Sequence, residues 1–476
     1  MRDQFEDCLS QAHMAYAMGR YDTTLSLCAE AIKLDSSDPR VYSLQGNAYL
    51  ALEKPKDAER YYRMALERDP DNGERYFELG NSFFGQEQYR NALETYAKAE
   101  QLGCRDAIKR RLYYQMGVIN QTHGDTNAAL INYDKADSVS GNEIDDLNAE
   151  ILLNRIQIYM DTAERVNAVV PKKRRDTTDT RKTANVMMSK DYNDIMDMAE
   201  NYASQLKLLI PGEFMSYHLL YQIFMKRNRF SEAEQVLLES EQACPEVSED
   251  DFLFRKHDYA LLYCYQSGFA PSAEVKRSLL MKALRSLNDI VGQVKSVEKK
   301  AEPYLTMVEI YKNLSEFHNA IKIAEGIAQY VDKWKGTPLA GYVERAQYDI
   351  LVCYAQLQDY SKVREYAMLL KESKQPFYRY HAYYSEAFSA KKLAEKDPTW
   401  NGTAHLLYQK AIAYYKSCII SSPGDLFAYL YRGRAYADIG KYEKASELAK
   451  ILPVEQQKTL QDYIDRCKSE QNGGRR

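Results

Sequence analysis

An all-α solenoid of paired helices is the fold this sequence predicts, and three observations predict it. First, residues 5–38, 39–72 and 73–106 run head to tail as copies of one 34-residue pattern, and a fourth copy follows at 110–143. Second, each copy places small residues at fixed offsets. Position 8 is Ala12, Gly46, Gly80 and Gly117, position 20 is Thr24, Ala58, Ala92 and Ala129, and position 27 is Ala31, Ala65, Ala99 and Ala136. Third, no stretch shows the alternation of a strand. A period of this length marks stacked helical units, none of which can bury its apolar face alone.

The elements follow in order from those offsets. Small residues at 8 and 20 let the two helices of one copy approach, and the residue at 27 admits the first helix of the next. Large residues fill the space between: Tyr49 and Phe83 at 11, Tyr21 and Tyr89 at 17, and Cys28, Tyr62, Tyr96 and Tyr133 at 24. Gly19, Glu53, Glu87 and Gly124 hold the turn at position 15, and Asp69-Pro70 or Gly103-Cys104 closes a copy. From 144 the period loosens. A first helix over 147–160 and its partner over 190–209 flank a polar insert at about 161–190, within an irregular region that runs to 300. Pairs follow at about 214–247, 251–292, 301–334 and 344–377. A Tyr-rich helix (Tyr378, Tyr380, Tyr383, Tyr384) then leads through a loop at 397–402 to a partner over 405–421. A last good copy spans 426–453. Residues 454–469 read as a polar helix covering the exposed end, and 471–476 as a disordered tail. The expectation is about eleven pairs plus a C-terminal capping helix, divided as 1–143, 144–300 and 301–470.

The second copy carries a specific resemblance. Gln45-Gly46-Asn47-Ala48-Tyr49, Asp57-Ala58, Tyr62, Ala65 and Asp69-Pro70 resemble the tetratricopeptide repeat family. That resemblance implies helix pairs wound into a right-handed superhelix with a concave groove that holds protein segments. It also implies that positions 2, 5, 9, 12 and 13 of each first helix line the groove.

Composition excludes several classes. The net charge is −4 in 476 residues, so no global field points to nucleic acid or to an anionic surface. No apolar run is long enough to span a bilayer, and the first residues lack the apolar stretch of a secretory signal, so a cytoplasmic location is expected. Eight scattered cysteines without a C-x-x-C pair read as reduced core thiols. Phosphate-loop, H-E-x-x-H and G-x-S-x-G motifs are missing, and the seven histidines are dispersed. The expectation is a protein that is not an enzyme and holds no cofactor or metal.

Recognition in the groove is the better candidate. Carried onto this chain, the family's groove positions select His13, Tyr16, Ser43, Asn47, Leu50, Phe77, Asn81, Phe84, Tyr114 and Gln121 as peptide-binding residues. Asn47 and Asn81 stand at position 9 of successive copies. An amide donates and accepts, so it can pair with the backbone of any extended peptide, while the aromatics can anchor apolar side chains. Since position 9 faces the groove, replacing these amides is expected to leave the fold intact. Members of the family that clamp a chaperone's terminal carboxylate use Lys at position 5 and Asn at position 6 of the next repeat. Ser43 and Glu78 stand there instead, so binding of heat-shock tails is not expected. The insert is basic, with seven Lys/Arg against two Asp over 171–190, and Lys172, Lys173, Arg174 and Arg175 are its candidate anion-binding residues. The reading is an adaptor or scaffold that binds peptide segments. The alternatives are a peptide-sensing regulator, or a protein associated with nucleic acid through the insert.

Overall fold

A computed structural model describes residues 2–140, 146–169 and 190–473. Twenty-four helices and no strand occur among the described residues. The chain divides into two compact units, residues 1–228 with 242–244, and residues 229–241 with 245–476.

The first unit opens with four antiparallel pairs. These are α1 (Arg2–Ala17) with α2 (Tyr21–Leu34), α3 (Pro39–Ala51) with α4 (Pro55–Arg68), α5 (Gly73–Gly85) with α6 (Tyr89–Leu102), and α7 (Asp106–Thr122) with α8 (Thr126–Ser140). Helix starts follow local chemistry. Pro39 opens α3 behind Asp38, whose carboxylate accepts from the Arg40 amide at 2.9 Å, and Asn72 does the same for the Glu74 amide of α5 at 2.9 Å. Each pair turns through one left-handed residue: Gly19 (φ 73°), Glu53 (57°), Glu87 (59°) and Gly124 (79°). The following amide closes the turn onto the first helix, as Arg20 N does on Ala15 O and Lys54 N on Tyr49 O, each at 2.9 Å.

The packing explains the small residues. A Cβ built on Gly46, Gly80 or Gly117 would stand 2.3, 2.4 or 2.5 Å from the ring of Tyr62, Tyr96 or Tyr133. All three tyrosines are fully buried, so each ring lies flat on the backbone of the facing helix. In the first copy position 24 is the smaller Cys28, and position 8 carries the methyl of Ala12. Both are fully buried. Side-chain volume is therefore traded across the interface within each copy.

The unit continues with α9 (Asp146–Val169) on α10 (Lys190–Leu209), and with α11 (Phe214–Lys226) on α10. Arg155 of α9 is buried, with ion pairs to Asp134 at 2.7 Å and Asp137 at 2.6 Å of α8. The basic insert, including Lys172, Lys173, Arg174 and Arg175, lies outside the described residues.

The second unit starts at α12 (Phe230–Ala243). It contains α13 (Glu249–Gly268) on α14 (Ala273–Gln293), α15 (Val297–Asn313) on α16 (Phe317–Ala328), and the short α17 (Val331–Trp334). It closes with α18 (Ala340–Gln356) on α19 (Tyr360–Leu370), α20 (Pro376–Ala394) on α21 (Trp400–Ser421), α22 (Leu426–Asp438) on α23 (Tyr442–Ala449), and α24 (Val454–Gly473) on both of the last two. Asn228, Ser315, Gln358 and Gly440 repeat the left-handed turn, at φ 56–76°. Three boundaries differ from the sequence expectation, the first being α9, which runs to Val169 and so into the expected insert. Helix α21 begins at Trp400, inside the expected loop, and α24 runs to Gly473, into the expected tail. Gly402 and Gly473 sit in a first and a last turn, where the penalty for a helical glycine is smallest because few intrahelical bonds depend on it.

Among the described residues no helix is long and apolar enough to cross a membrane, and no cluster of His, Cys, Asp or Glu could hold a metal ion. All eight cysteines are free thiols, and Cys28, Cys244 and Cys353 are buried. Burial pushes the Cys28 thiol up to about 12.

Candidate functional site

The first helices α1, α3, α5 and α7 carry the ten groove residues, and the structure sorts them into three groups. The first is a row of amides. Asn47 Oδ1 accepts from the hydroxyl of Tyr62 at 2.7 Å, and Asn81 Oδ1 accepts from Tyr96 at 2.7 Å. In the fourth copy position 9 is Val118. There Gln121, one turn further on and one methylene longer, accepts from Tyr133 at 2.8 Å. Each tyrosine is the one that lies flat on the glycine of its own copy. Its hydroxyl crosses the helix pair and fixes the amide oxygen, and among the described residues no hydrogen bond holds the amide nitrogen. Burial drives the proton affinity of all three hydroxyls far upward, so each remains a donor. Gln121 also lines an open hollow of about 580 Å³ that reaches Ile158, Asp161 and Arg165 of α9.

This corrects one expectation. The amide at position 9 is the acceptor for a buried hydroxyl of the second helix. Asn47→Ala or Asn81→Ala would strand that hydroxyl, at a cost of about 1–3 kcal/mol each.

The second group is packed inward. Ser43 is only 4% exposed and Phe77 only 7%. Phe77 lies 5.8 Å from the ring of Tyr96. The Ser43 hydroxyl donates to the Glu78 carboxylate and accepts from Arg75 Nη1 at 2.6 Å, while Arg75 pairs with Glu78 at 3.1 Å. Burial pushes the Glu78 carboxyl up, against the opposing pull of Arg75 and the Ser43 hydrogen bond. The two positions where a carboxylate clamp would need a cation and an amide are thus occupied by each other.

The third group is partly open. Tyr16 is half-buried with its ring 5.6 Å from Tyr21, Leu50 is half-buried beside Phe83's cluster, and Phe84 stands edge-on to Tyr89 at 5.8 Å. Tyr114 is half-buried, 6.1 Å from Tyr133, with burial and then the nearby Glu150 pushing its hydroxyl up to about 12. His13 is exposed, in the one copy that lacks a tyrosine at position 24. Position-2 side chains are held in ion pairs, one across copies and one to the end of the same copy. Glu6 holds Arg40 at 2.6 Å, and Glu74 holds Arg105 at 2.6 Å. Such exposed pairs each contribute at most about 1 kcal/mol.

An aromatic cluster in the second unit was missed from sequence. Tyr348 of α18, Phe377 and His381 of α20, and Phe427 and Tyr431 of α22 form one continuous aromatic contact. His381 lies 4.9, 4.6 and 5.0 Å from the rings of Tyr348, Phe377 and Tyr431. The Tyr-rich run at 378–384 was read only as helix. The signal that could have found this cluster is the spacing of 377, 381 and 384 on one helical face.

The model of the tetratricopeptide repeat family matches residues 39–72, which are the second copy. No curated protein matches the chain. Several solved structures are similar to it. The C-terminal part of a TPR repeat-containing protein from Cytophaga hutchinsonii is 13% identical, covering 62% of this chain and 98% of its own, at a TM-score of 0.44. A tetratricopeptide repeat protein from Parabacteroides merdae is 11% identical, covering 64% and 99%, at 0.37. YrrB, described as a TPR protein with an unusual peptide-binding site, is 17% identical, covering 46% and 93%, at 0.32.

Proposed function

We propose that this tetratricopeptide repeat protein is a non-catalytic adaptor whose first four repeats hold an extended protein segment along α1, α3, α5 and α7. The observation that carries the reading is the amide row. Asn47, Asn81 and Gln121 each have their oxygen held by a buried tyrosine, which leaves one amide nitrogen per repeat to donate. A row of oriented donors suits the carbonyls of a peptide backbone, which recur regardless of side chain. Tyr16, Leu50, Phe84 and Tyr114 flank it and would take apolar side chains. The mutual pairing of Ser43, Arg75 and Glu78 supports a groove that does not clamp heat-shock tails. Charge also favours a protein partner, since Arg40 is taken up by Glu6 and Glu74 is taken up by Arg105, so the position-2 side chains form no basic track.

The test separates binding from folding. In Asn47→Asp/Asn81→Asp the carboxylates keep an acceptor for Tyr62 and Tyr96 but lose the donors. A partner identified by pull-down and mass spectrometry is reduced to its binding segment and titrated by calorimetry. The double variant should keep its melting temperature within a few degrees and lose about 1–3 kcal/mol of binding. Unchanged affinity would refute the reading.

A further inference from the structure

The second unit carries an unbalanced cation beside an exposed aromatic surface. Phe377 and Phe427 are 39% and 47% exposed and touch edge-to-face at 6.3 Å. Beneath them His381 is hydrogen-bonded to the Tyr431 hydroxyl at 2.5 Å and lies 3.5 Å from that of Tyr348. One turn beyond Tyr431 on the same face of α22 stands Arg434. Its guanidinium carbon is 5.7 Å from the ring centroids of both Tyr431 and Tyr463. Among the described residues it makes no ion pair, and its Nε is buried without an acceptor.

Three acids of α18, α22 and the residue before α22 have other partners. Asp438 accepts from Lys391 Nζ at 3.0 Å and from the hydroxyls of Tyr384 at 2.8 Å and Tyr463 at 3.0 Å. Asp425 accepts from Tyr380, and Asp349 pairs with Lys312 at 2.6 Å. His381 cannot supply a second charge at neutral pH, because burial and then Arg434 hold it down to about 4. The surface therefore offers an apolar platform and one half-buried, rigidly stacked cation. A cation so placed gains most from an incoming carboxylate, because the pair forms in a partly desolvated setting.

We infer that Phe377, Phe427 and Arg434 form a second docking surface, distinct from the amide groove, for a protein segment that carries an acidic side chain close to a bulky apolar one. Charge complementarity selects this occupant. Single-stranded nucleic acid could also stack on these rings, but its backbone presents a phosphate at every nucleotide and is met by rows of cations, whereas among the described residues Arg434 is the one cation stacked on a ring of this cluster.

A displayed library of random peptides, selected on the full chain, tests the proposal. Enriched peptides should hold Asp or Glu near Phe, Leu or Trp. The best of them, made with a fluorescent label, should bind at least about tenfold more weakly to Arg434→Gln, with part of the affinity restored in Arg434→Lys. Exchanging its acid for the amide should cost as much, and Phe427→Ala should also weaken it. Asn47→Asp/Asn81→Asp should leave it unchanged, so this surface and the amide groove succeed or fail separately. Helicity and melting temperature of each variant confirm folding. The inference is overturned if selected peptides lack acids, if none is enriched, if they bind Arg434→Gln equally, or if a labelled oligothymidine binds in an Arg434-dependent way and the peptides do not.

Discussion

The first four repeats and the helices α18 to α24 both bury tyrosines between helices, but they satisfy the hydroxyls in opposite ways. In the first unit each tyrosine answers to an amide of its own copy, and the arrangement recurs three times with the same glycine beneath the ring. In the second unit the hydroxyls converge. Tyr384 and Tyr463 bond each other at 2.7 Å and share Asp438 with Lys391, while Tyr415 donates to the Tyr380 carbonyl at 2.7 Å. The first design is modular, so damage should stay within one copy. The second is a network whose members lean on one another, so damage should spread.

The sharpest way to break that contrast is Asp438→Ala. The Asp438 side chain is almost fully buried, and its loss strands Lys391 and two tyrosines. A cost of about 3–5 kcal/mol is expected, read as early loss of the second unit in urea unfolding followed by residue-resolved hydrogen exchange. A cost near 1 kcal/mol would mean that the network is dispensable.

Acid should act on the second unit next. The His381 pKa falls from the ordinary 6.5 to about 4 on burial, so between those values the unfolded chain binds the extra proton. Stability is therefore fully present above pH 6.5 and declines toward pH 4, by up to about 3 kcal/mol. His381→Gln should flatten that part of the profile. An identical slope in the variant would place the proton elsewhere.

In the modular region the expected effects are smaller and local. Gly80→Ala drives a methyl into the Tyr96 ring and should cost about 1–3 kcal/mol. Adding Tyr96→Cys reproduces the Ala12/Cys28 solution of the first copy, so the double mutant should be more stable than the sum of the singles implies. Additivity would deny the volume trade. The smallest effect belongs to the turns. Glu53 holds φ 57°, a conformation that a side chain disfavours by roughly 1–2 kcal/mol. Because glycine also costs backbone entropy on folding, Glu53→Gly should gain less than about 1 kcal/mol in thermal melts.

Much of the fold was legible because the repeat writes its packing into fixed offsets. Gly46 above Tyr62 is readable as small against large, and the turn at position 15 is readable from Gly19 and Gly124. Glu53 and Glu87 adopt the same turn against their own preference, because the stacked helices dictate it. The groove was less legible. Phe77 and Ser43 occupy groove positions yet pack inward, since Tyr96, Arg75 and Glu78 reach them from another helix, and a single-helix pattern does not register that reach. The link between amide and tyrosine was visible in principle: the copies with tyrosine at 24 carry an amide at 9 or 12, and the copy with Cys28 carries His13. The patch around His381 was legible only in its α20 part, the spacing of 377, 381 and 384, because Tyr348, Phe427 and Tyr431 reach it from two other helices that share no repeat offset with it.

The tyrosine and its amide lie fifteen residues apart in the second and third copies and twelve apart in the fourth. Both always fall within one copy. Duplication of a copy during evolution therefore transmits the amide and the tyrosine that orients it as a single heritable block. An array can lengthen its reach one unit at a time without re-evolving the orientation of each new contact. By the same logic, a change at a tyrosine invisible from the surface can release the amide that it holds.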